Sequence, residues 1–399
     1  MWSIRRTFPA FRDDNVSFVY LLSLTTCSHG GMLIHAYLTE NDSKTDVRIG
    51  TALINMYGKY GHPEDARWVF EEMTNRDVVT WNVMMRVFSQ LGLEKEVFNL
   101  FHQMQNNCVK PTRVSFISII DICGHGTLPE RGHLVHVCII DSDSSLDMVV
   151  NNALVNMYVK LNALEDAHRV FVMMIHHNVI SWTTLILGYV KCGKGNEAMQ
   201  LFSQMQEEGI NPDAVTFITM LEACSKHKLQ IHGMLLHSLI IVHGIHLELH
   251  IGNAMIHMYA KCGSMNDAIR VFDSMHEKDV VTWTAVIAAY SYEGQGYEAL
   301  KSFKNMKQQG MEPNKITFVC VLDACTSYGS LIEGMQIHVH ILASPFLKDV
   351  DIGSSLINMY GKCGKLQHSW DLFTRMPEQN VISWTPLMTG YVKHGYDDE

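Results

Sequence analysis

Between Val179 and Asp213 apolar side chains return at three- and four-residue intervals in two runs. The first is Trp182, Leu185, Ile186 and Tyr189, and the second, after Gly193, is Ala198, Leu201, Phe202 and Met205. This spacing places each set on one face of a helix, with polar residues on the other. It predicts two amphipathic helices joined by a short glycine-containing turn. Asn178 is placed to cap the first and Asn196 the second, while Gly209 and then Pro212 close the second. Neither helix can bury its stripe alone, so pairs of this kind must stack on one another and share a core.

The rest of the chain supplies the neighbours. Trp81, Trp182, Trp283 and Trp384 stand 101 residues apart, and Tyr57, Tyr158, Tyr259 and Tyr360 keep the same step. So do His35, His136, His237 and His338, the set Cys123, Cys224 and Cys325, and the set Pro111, Pro212 and Pro313. Several residue series in one register make a tandem repeat. Each period divides into three pieces of 35, 35 and 31 residues, such as 78–112, 113–147 and 148–178. They are called here the Trp, Cys and Tyr pieces after their landmark residues. Regular copies run 47–77, 78–112, 113–147, 148–178, 179–213, 214–248, 249–279, 280–314, 315–349 and 350–380. Residues 12–46 are the least regular, with Phe18 and Cys27 suggesting a worn Cys piece, and Val381 to Glu399 stops after a first helix. About eleven complete helix pairs and an interrupted twelfth are expected.

Composition narrows the class. With 47% apolar and 18% charged residues, 9 prolines and a mean hydropathy near zero, the chain is a folded one and not a disordered one. A net charge of −10 argues against binding driven mainly by phosphate neutralisation, so any nucleic acid must be held largely by its bases or by a local basic stripe. The ten cysteines recur at helical repeat positions and read as buried, reduced thiols. No run reaches the roughly 18 apolar residues of a membrane helix; the longest candidate, Met234 to Ile245, is interrupted by His237 and His243. Residues 1–14 carry Arg5, Arg6 and Arg12 before the first acid, Asp13, and suggest the remnant of an organelle transit peptide or a degenerate cap. The domain reading is therefore that segment, a repeat array over 15–380, and a truncated Trp piece over 381–399.

The pieces resemble the pentatricopeptide repeat family, in the plant-type subfamily that alternates motifs called P, L and S. VVTWTAVIAAYSYEGQGYEALKSFKNMKQQGMEPN (280–314) is similar to a P motif, ITFVCVLDACTSYGSLIEGMQIHVHIL (316–342) to an L motif, and IGNAMIHMYAKCGSMNDAIRVFDSM (251–275) to an S motif. The resemblance spans roughly residues 15–399. It implies an all-α fold, a right-handed α-solenoid superhelix of about twelve helix-turn-helix repeats. It also implies single-stranded RNA as partner, one base per repeat, in a mitochondrion or chloroplast, with the mitochondrion preferred. The subfamily is associated with choosing sites for C-to-U editing of organelle transcripts, the deaminase or another processing factor being supplied in trans. No cofactor is implied.

In this family a base is read by the residue just after the Trp, or its equivalent, together with the last residue of the motif. Aspartate only accepts hydrogen bonds and so suits G and U, whose Watson–Crick edges carry a ring N–H; asparagine can donate, which suits A and C. In the family the helix residue sorts purine (Thr or Ser) from pyrimidine (Asn). The resemblance therefore implies G for Thr51 with Asp77, a weak pyrimidine bias for Asn82 with Thr112, and a pyrimidine for Asn152 with Asn178. It implies G for Thr183 with Asp213, U for Asn253 with Asp279, and A for both Thr284 with Asn314 and Ser354 with Asn380. The Cys pieces offer Ile117 with Asp147, Ile218 with Glu248 and Val319 with Asp349. An aliphatic side chain cannot hydrogen-bond a base, so these are read as spacers, and Thr385 lacks its closing partner. The implied target is 5′ G-Y-n-Y-G-n-U-A-n-A 3′. Without the resemblance, Asp77, Asn178 and Asp279 read simply as helix N-caps.

No catalytic constellation is present. His246 and His250 have i, i+4 spacing, but no cysteine pair accompanies them, and His246, Leu247 and Glu248 match only the H-x-E half of a zinc deaminase signature, with no C-x-x-C anywhere to complete it. The chain is read as a non-enzyme. The rival reading is a protein-binding helical-repeat scaffold, which suits the acidic total. Lys and Arg on the inward first-helix positions would favour RNA. A third reading, a degenerate relative with no remaining target, fits the worn first copy and the broken last one.

Overall fold

Asp46, Asp147, Asn178, Asp213, Asp279, Asn314, Asp349 and Asn380 stand in extended backbone, and each side-chain oxygen accepts a backbone N–H two or three residues on. That bond satisfies a donor that the first helical turn leaves open. In these copies the last residue of one piece is thus the cap that starts the next, whereas Glu248 makes no side-chain cap bond. The computed structural model describes residues 15–24, 28–40, 46–125, 129–142, 147–245 and 248–395. Residues 1–14 with their arginines, Cys27, His246 and residues 396–399 lie outside these. Among the described residues there are 23 helices and no strand.

The chain divides into two units, Met1–Cys192 and Gly193–Glu399. In the first, the pairs are α1 (Asn15–Leu24) with α2 (Ser28–Glu40), α3 (Val47–Lys59) with α4 (Pro63–Glu72), α5 (Val78–Gln90) with α6 (Glu94–Asn106), α7 (Arg113–His125) with α8 (Pro129–Ile140), and α9 (Met148–Lys160) with α10 (Leu164–Met173), followed by α11 (Val179–Lys191). The second unit begins with α12 (Gly195–Glu207) and continues through α13 (Ala214–His227) with α14 (Gln230–Val242), α15 (Leu249–Lys261) with α16 (Met265–Ser274), and α17 (Val280–Tyr292) with α18 (Gly296–Gln308). It ends in α19 (Lys315–Tyr328) with α20 (Leu331–Leu342), α21 (Val350–Lys362) with α22 (Leu366–Arg375), and α23 (Val381–Lys393). From α3 on, every first helix starts at the first residue of a piece. The Tyr pieces are shorter because their second helices have 10 residues where those of the Trp pieces have 13, close to one turn less.

Within each unit the core is shared between successive pairs. Phe70 meets the Trp81 ring edge-on at 4.8 Å, and the same contact recurs at Phe171–Trp182 (4.7 Å), Phe272–Trp283 (4.9 Å) and Phe373–Trp384 (4.5 Å). Such pairs contribute about 0.5–1.5 kcal/mol beyond their buried area. At Gly233 an added Cβ would stand 2.3 Å from Met258 Sδ, so the second helix of a Cys piece must be bare there to seat the following methionine. Met56, Tyr57, Phe70 and Met73 are buried in this core.

Two local expectations fail. Asn196 is not a cap: α12 begins at Gly195 after Lys194, with no side-chain cap bond. The entry to the second helix is set instead by the tight turn that closes the first, in which Gly193 has φ +74°, and Glu197 in the first turn complements the helix dipole. The described cysteines are free but not uniformly buried. Cys123, Cys224 and Cys325 are, whereas Cys108 and Cys192 are exposed, because those two fall in turns after helices and not on a packed face. No described helix is long and apolar enough to cross a membrane.

Candidate nucleic-acid interface

The first-helix member of each expected pair lies one turn into its helix, and the closing member caps the next first helix. In the first unit this brings the two together across neighbouring helices. Asn82 Nδ2 donates to Thr112 Oγ1 at 3.1 Å, and Ser115 Oγ donates back to Asn82 Oδ1 at 2.5 Å. Asn152 Nδ2 donates to Asn178 Oδ1 at 3.4 Å. Thr51 and Asp77 meet through one hydroxyl: Thr51 Oγ1 lies 2.9 Å from Thr80 Oγ1, which donates to Asp77 Oδ1 at 2.8 Å.

The second unit repeats both arrangements. Thr284 Oγ1 lies 2.7 Å from Thr317 Oγ1, which donates to Asn314 Oδ1 at 3.0 Å. Asn253 lies beside the Asp279 carboxylate and favours its charged form. Burial works against the charge on Asp279, but bonds from the Thr282 N–H and hydroxyl, Asn253 and the Val281 N–H outweigh it and hold the carboxyl below its usual range. At neutral pH it is therefore an acceptor only. Ser354 donates to Val350 O within its own helix at 2.8 Å, and Asn380 accepts from Ile382 N and Ser383 N. Thr183 and Asp213 fall in different units; Thr183 is buried at 8% exposure, and Asp213 caps α13 in a box with Thr216.

Except in the Asn152–Asn178 and Asn253–Asp279 pairs, whose members are all half-buried, the two members sit at different depths. Asn82, Thr183, Thr284 and Ser354 are only 4–8% exposed, while Asp77, Thr112, Asp213 and Asn380 are open to solvent. The helix residue forms a floor and the cap residue an accessible edge. In the Tyr pieces the floor also holds Asn152 Oδ1 and Asn253 Oδ1, buried with no hydrogen-bond partner.

A third contributor was missed in the sequence. Val79, Ile180, Val281 and Ile382, each two residues after its cap, are 53–58% exposed, and Val114, Val215 and Ile316 in the Cys pieces are 49–61% exposed. Large aliphatics held open beside the polar pairs present an apolar surface to solvent. The signal was present: an apolar residue off the buried stripe at the same place in each of these copies. A cleft of about 400 Å³ joins the parts at the first pair, with Thr51, Asp77, Val47, Val79, Arg48 and Arg86 on its walls. A similar cleft of about 450 Å³ is lined by Ser354, Ile316, Ile382, Lys315 and Asp351.

Charge on this face is more positive than the total suggests. Lys59, Lys160, Lys191, Lys226, Lys261, Lys362 and Lys393 occupy the last turns of first helices, all exposed, where the helix dipole favours a cation. Among the described residues no group of three or more His, Cys, Asp or Glu could hold a metal ion.

Known proteins place this arrangement. A profile for the PPR repeat family matches residues 76–125, 177–226 and 278–327, and one for the PPR repeat matches 51–78, 152–179, 253–280 and 354–381. Between them they take in every complete Trp and Tyr piece from Thr51 on. The chain is similar to a pentatricopeptide repeat-containing protein of Arabidopsis thaliana, 33% identical over 92% of this chain and 53% of the relative. A chloroplastic one from the same plant is 32% identical over 98% of this chain and 64% of the relative, and a mitochondrial one 33% identical over 96% and 56%. The chain thus spans between half and two thirds of these relatives. Among solved structures it is similar to the pentatricopeptide repeat protein PPR10 in complex with an 18-nt psaJ RNA element, with a TM-score of 0.80 at 16% identity over 98% of this chain and 58% of that one. PPR10 from maize gives 0.63 at 15% identity over 99% and 63%. At such identity the likeness shows the fold, an α-solenoid. With its repeats matched from Thr51 to Val381, the chain belongs to the PPR repeat family.

Proposed function

We propose that this chain binds single-stranded RNA in a plant organelle, reading one base at each P-type (Trp) and S-type (Tyr) repeat, with 5′ G-Y-n-Y-G-n-U-A-n-A 3′ as its target. It acts as the recognition part of C-to-U editing or another processing step, with the deaminase or other factor supplied by a second polypeptide. The mitochondrion is preferred over the chloroplast, and relatives of both descriptions support an organelle.

The observation that carries this reading is the contact between residues 26–30 positions apart in sequence, Asn152 with Asn178 and Asn82 with Thr112. Capping alone needs only the closing residue. The bond to a residue on the preceding first helix holds two polar groups side by side, as reading a base edge demands. Exposed aliphatics beside each pair supply a stacking surface, the lysines supply phosphate contacts, and PPR10, which has the same fold, is named as a complex with RNA. The test is a gel shift with the target RNA against a scrambled one of equal composition. Equal affinity for the two would refute the reading.

One observation favours the scaffold reading beside it. The second helices of the L-type (Cys) pieces expose Leu134, Val137 and Ile140 on α8, and Ile231, Leu235 and Val242 on α14, at 55–79%. Aliphatics this open on a helix face suit a protein partner, and a partner on α8 or on α14 leaves the first-helix pairs unoccupied.

A further inference from the structure

The L-type pieces read as spacers because Ile117, Ile218 and Val319 cannot hydrogen-bond a base. The first of them, however, carries a cleft of about 390 Å³ between α5, α7 and α9. We infer that this cleft is a nucleotide seat: it holds the third base of the RNA by shape without selecting it, and grips the adjoining phosphate with Arg86 and Lys160. The inference rests on the RNA-binding reading above and adds a contact which that reading omits.

The cleft is apolar at one end and charged at the other. Val114 and Ile117 line its start, and Val114 is 49% exposed. Ser118 lies beside them, but its hydroxyl donates to Val114 O at 3.1 Å, so it is committed to its own helix. About two turns further along, Arg86 and Lys160 face one carboxylate, Asp121, which lies 3.8 Å from Lys160 Nζ. Arg86 uses one of its five N–H groups on Asn55 Oδ1, at 2.9 Å, and also lines the neighbouring cleft that contains Thr51 and Asp77. One guanidinium thus borders the clefts of the first and the third base, on the helix that carries Asn82 of the second pair, where a backbone running from the second base to the third places a phosphate.

Charge separates this piece from its copies. Two cations against one carboxylate leave a net positive wall here. One and two periods on, the place of Arg86 is taken by Leu187 and Ala288, while Lys261 is matched by Glu222 and Lys362 by Asp323. The later L-type pieces therefore carry no excess charge at these positions, and the spacer reading stands for them.

The test uses the full chain and the target RNA, labelled for fluorescence anisotropy, with an abasic site at the third, sixth, seventh or ninth nucleotide. Losing the third base is expected to weaken binding about fivefold, near the lower end for one stacked base. Losing the sixth or ninth changes affinity less than about twofold by the same measure. The four bases at position three bind alike, and Arg86→Leu, an exposed change that copies Leu187 one period on, weakens intact and abasic RNA by the same factor and lowers the salt dependence of binding by about one phosphate contact. The inference is overturned if the third site behaves as the sixth and ninth do, if one base is strongly preferred there, or if Arg86→Leu leaves affinity and its salt dependence unchanged. An abasic seventh site that binds as well as intact RNA would instead overturn the base-reading function, and this seat with it.

Discussion

The phenol oxygen of Tyr259 stands 2.9 Å from Nδ1 of His237, 22 residues earlier on the second helix of the preceding Cys piece. The same contact joins His35 to Tyr57 at 2.8 Å, His136 to Tyr158 at 3.0 Å and His338 to Tyr360 at 2.9 Å. Two series that share a period in sequence are thus partners in space, and each ties a Cys piece to the Tyr piece after it. Burial pushes the Tyr158 and Tyr259 hydroxyls up to about 12 and holds the imidazoles of His136, His237 and His338 below their usual value. These contacts are therefore made between neutral rings at neutral pH.

Stability should fall on mild acidification for this reason. An imidazole with a lowered folded pKa takes up its proton more readily in the unfolded chain. Its contribution is complete above the unfolded value of 6.5 and is lost as pH falls through that value toward the folded one. The expected result is a melting temperature that is flat above about pH 7 and declines below it. Replacing His136, His237 and His338 together by Gln should flatten that decline while lowering stability at neutral pH. An unchanged slope in the triple variant would assign the acid sensitivity elsewhere. Tyr259→Phe alone should cost about 1 kcal/mol, the net worth of one hydrogen bond.

Asp279→Asn should change what is read without disturbing the fold. Both side chains cap helices well, so stability should stay within about 0.5 kcal/mol. The carboxylate that only accepts becomes an amide that can donate, and preference at the seventh base should move from U towards C. Competition binding with RNAs differing at that base alone measures the shift, and a variant that still prefers U would remove Asp279 from the code.

Much of the fold was legible because the cap residue and the apolar stripe both recur in the chain. From Val47 on, first helices begin where the repeat register puts them. The second-helix starts were not legible, since the turn at Gly193 is closed by backbone geometry and Asn196, though a good capping residue, falls one place inside the helix. The pairing of Asn82 with Thr112 was expected only from resemblance; the serine that donates to Asn82, Ser115, is invisible until two helices are laid side by side. Val79 escaped notice because an isolated aliphatic looks like core until its exposure is known.

Comparison among copies also exposes a repairable strain. Lys228, which follows α13, has φ +53°, while one period on the same turn is made by Gly329 at φ +73°. A side chain in this left-handed region costs about 1–2 kcal/mol, part of which glycine forfeits through the greater freedom of its unfolded chain. Lys228→Gly should therefore stabilise the protein by about 0.5–1 kcal/mol. Chemical denaturation would read this as a higher midpoint at constant slope, and a lower midpoint would mean that the lysine side chain contributes more than its backbone costs.

The weak second pair offers the most direct conversion. Asn82 is engaged on both sides, by Ser115 at Oδ1 and by Thr112 at Nδ2, and Thr112 presents a hydroxyl that can donate or accept and so favours neither pyrimidine. Thr112→Asp places an acceptor where Asp279 stands beside Asn253. The amide of Asn82 can donate to it as it now does to Thr112, and aspartate is at least as good a helix cap as threonine. Stability should be kept or slightly raised, and the second base should change from a loose pyrimidine to U. Two or more of the bonds that set the Asn253–Asp279 pair would then exist at a second place in the chain, so a variant that binds C and U equally at position two would show that those bonds do not suffice to specify a base.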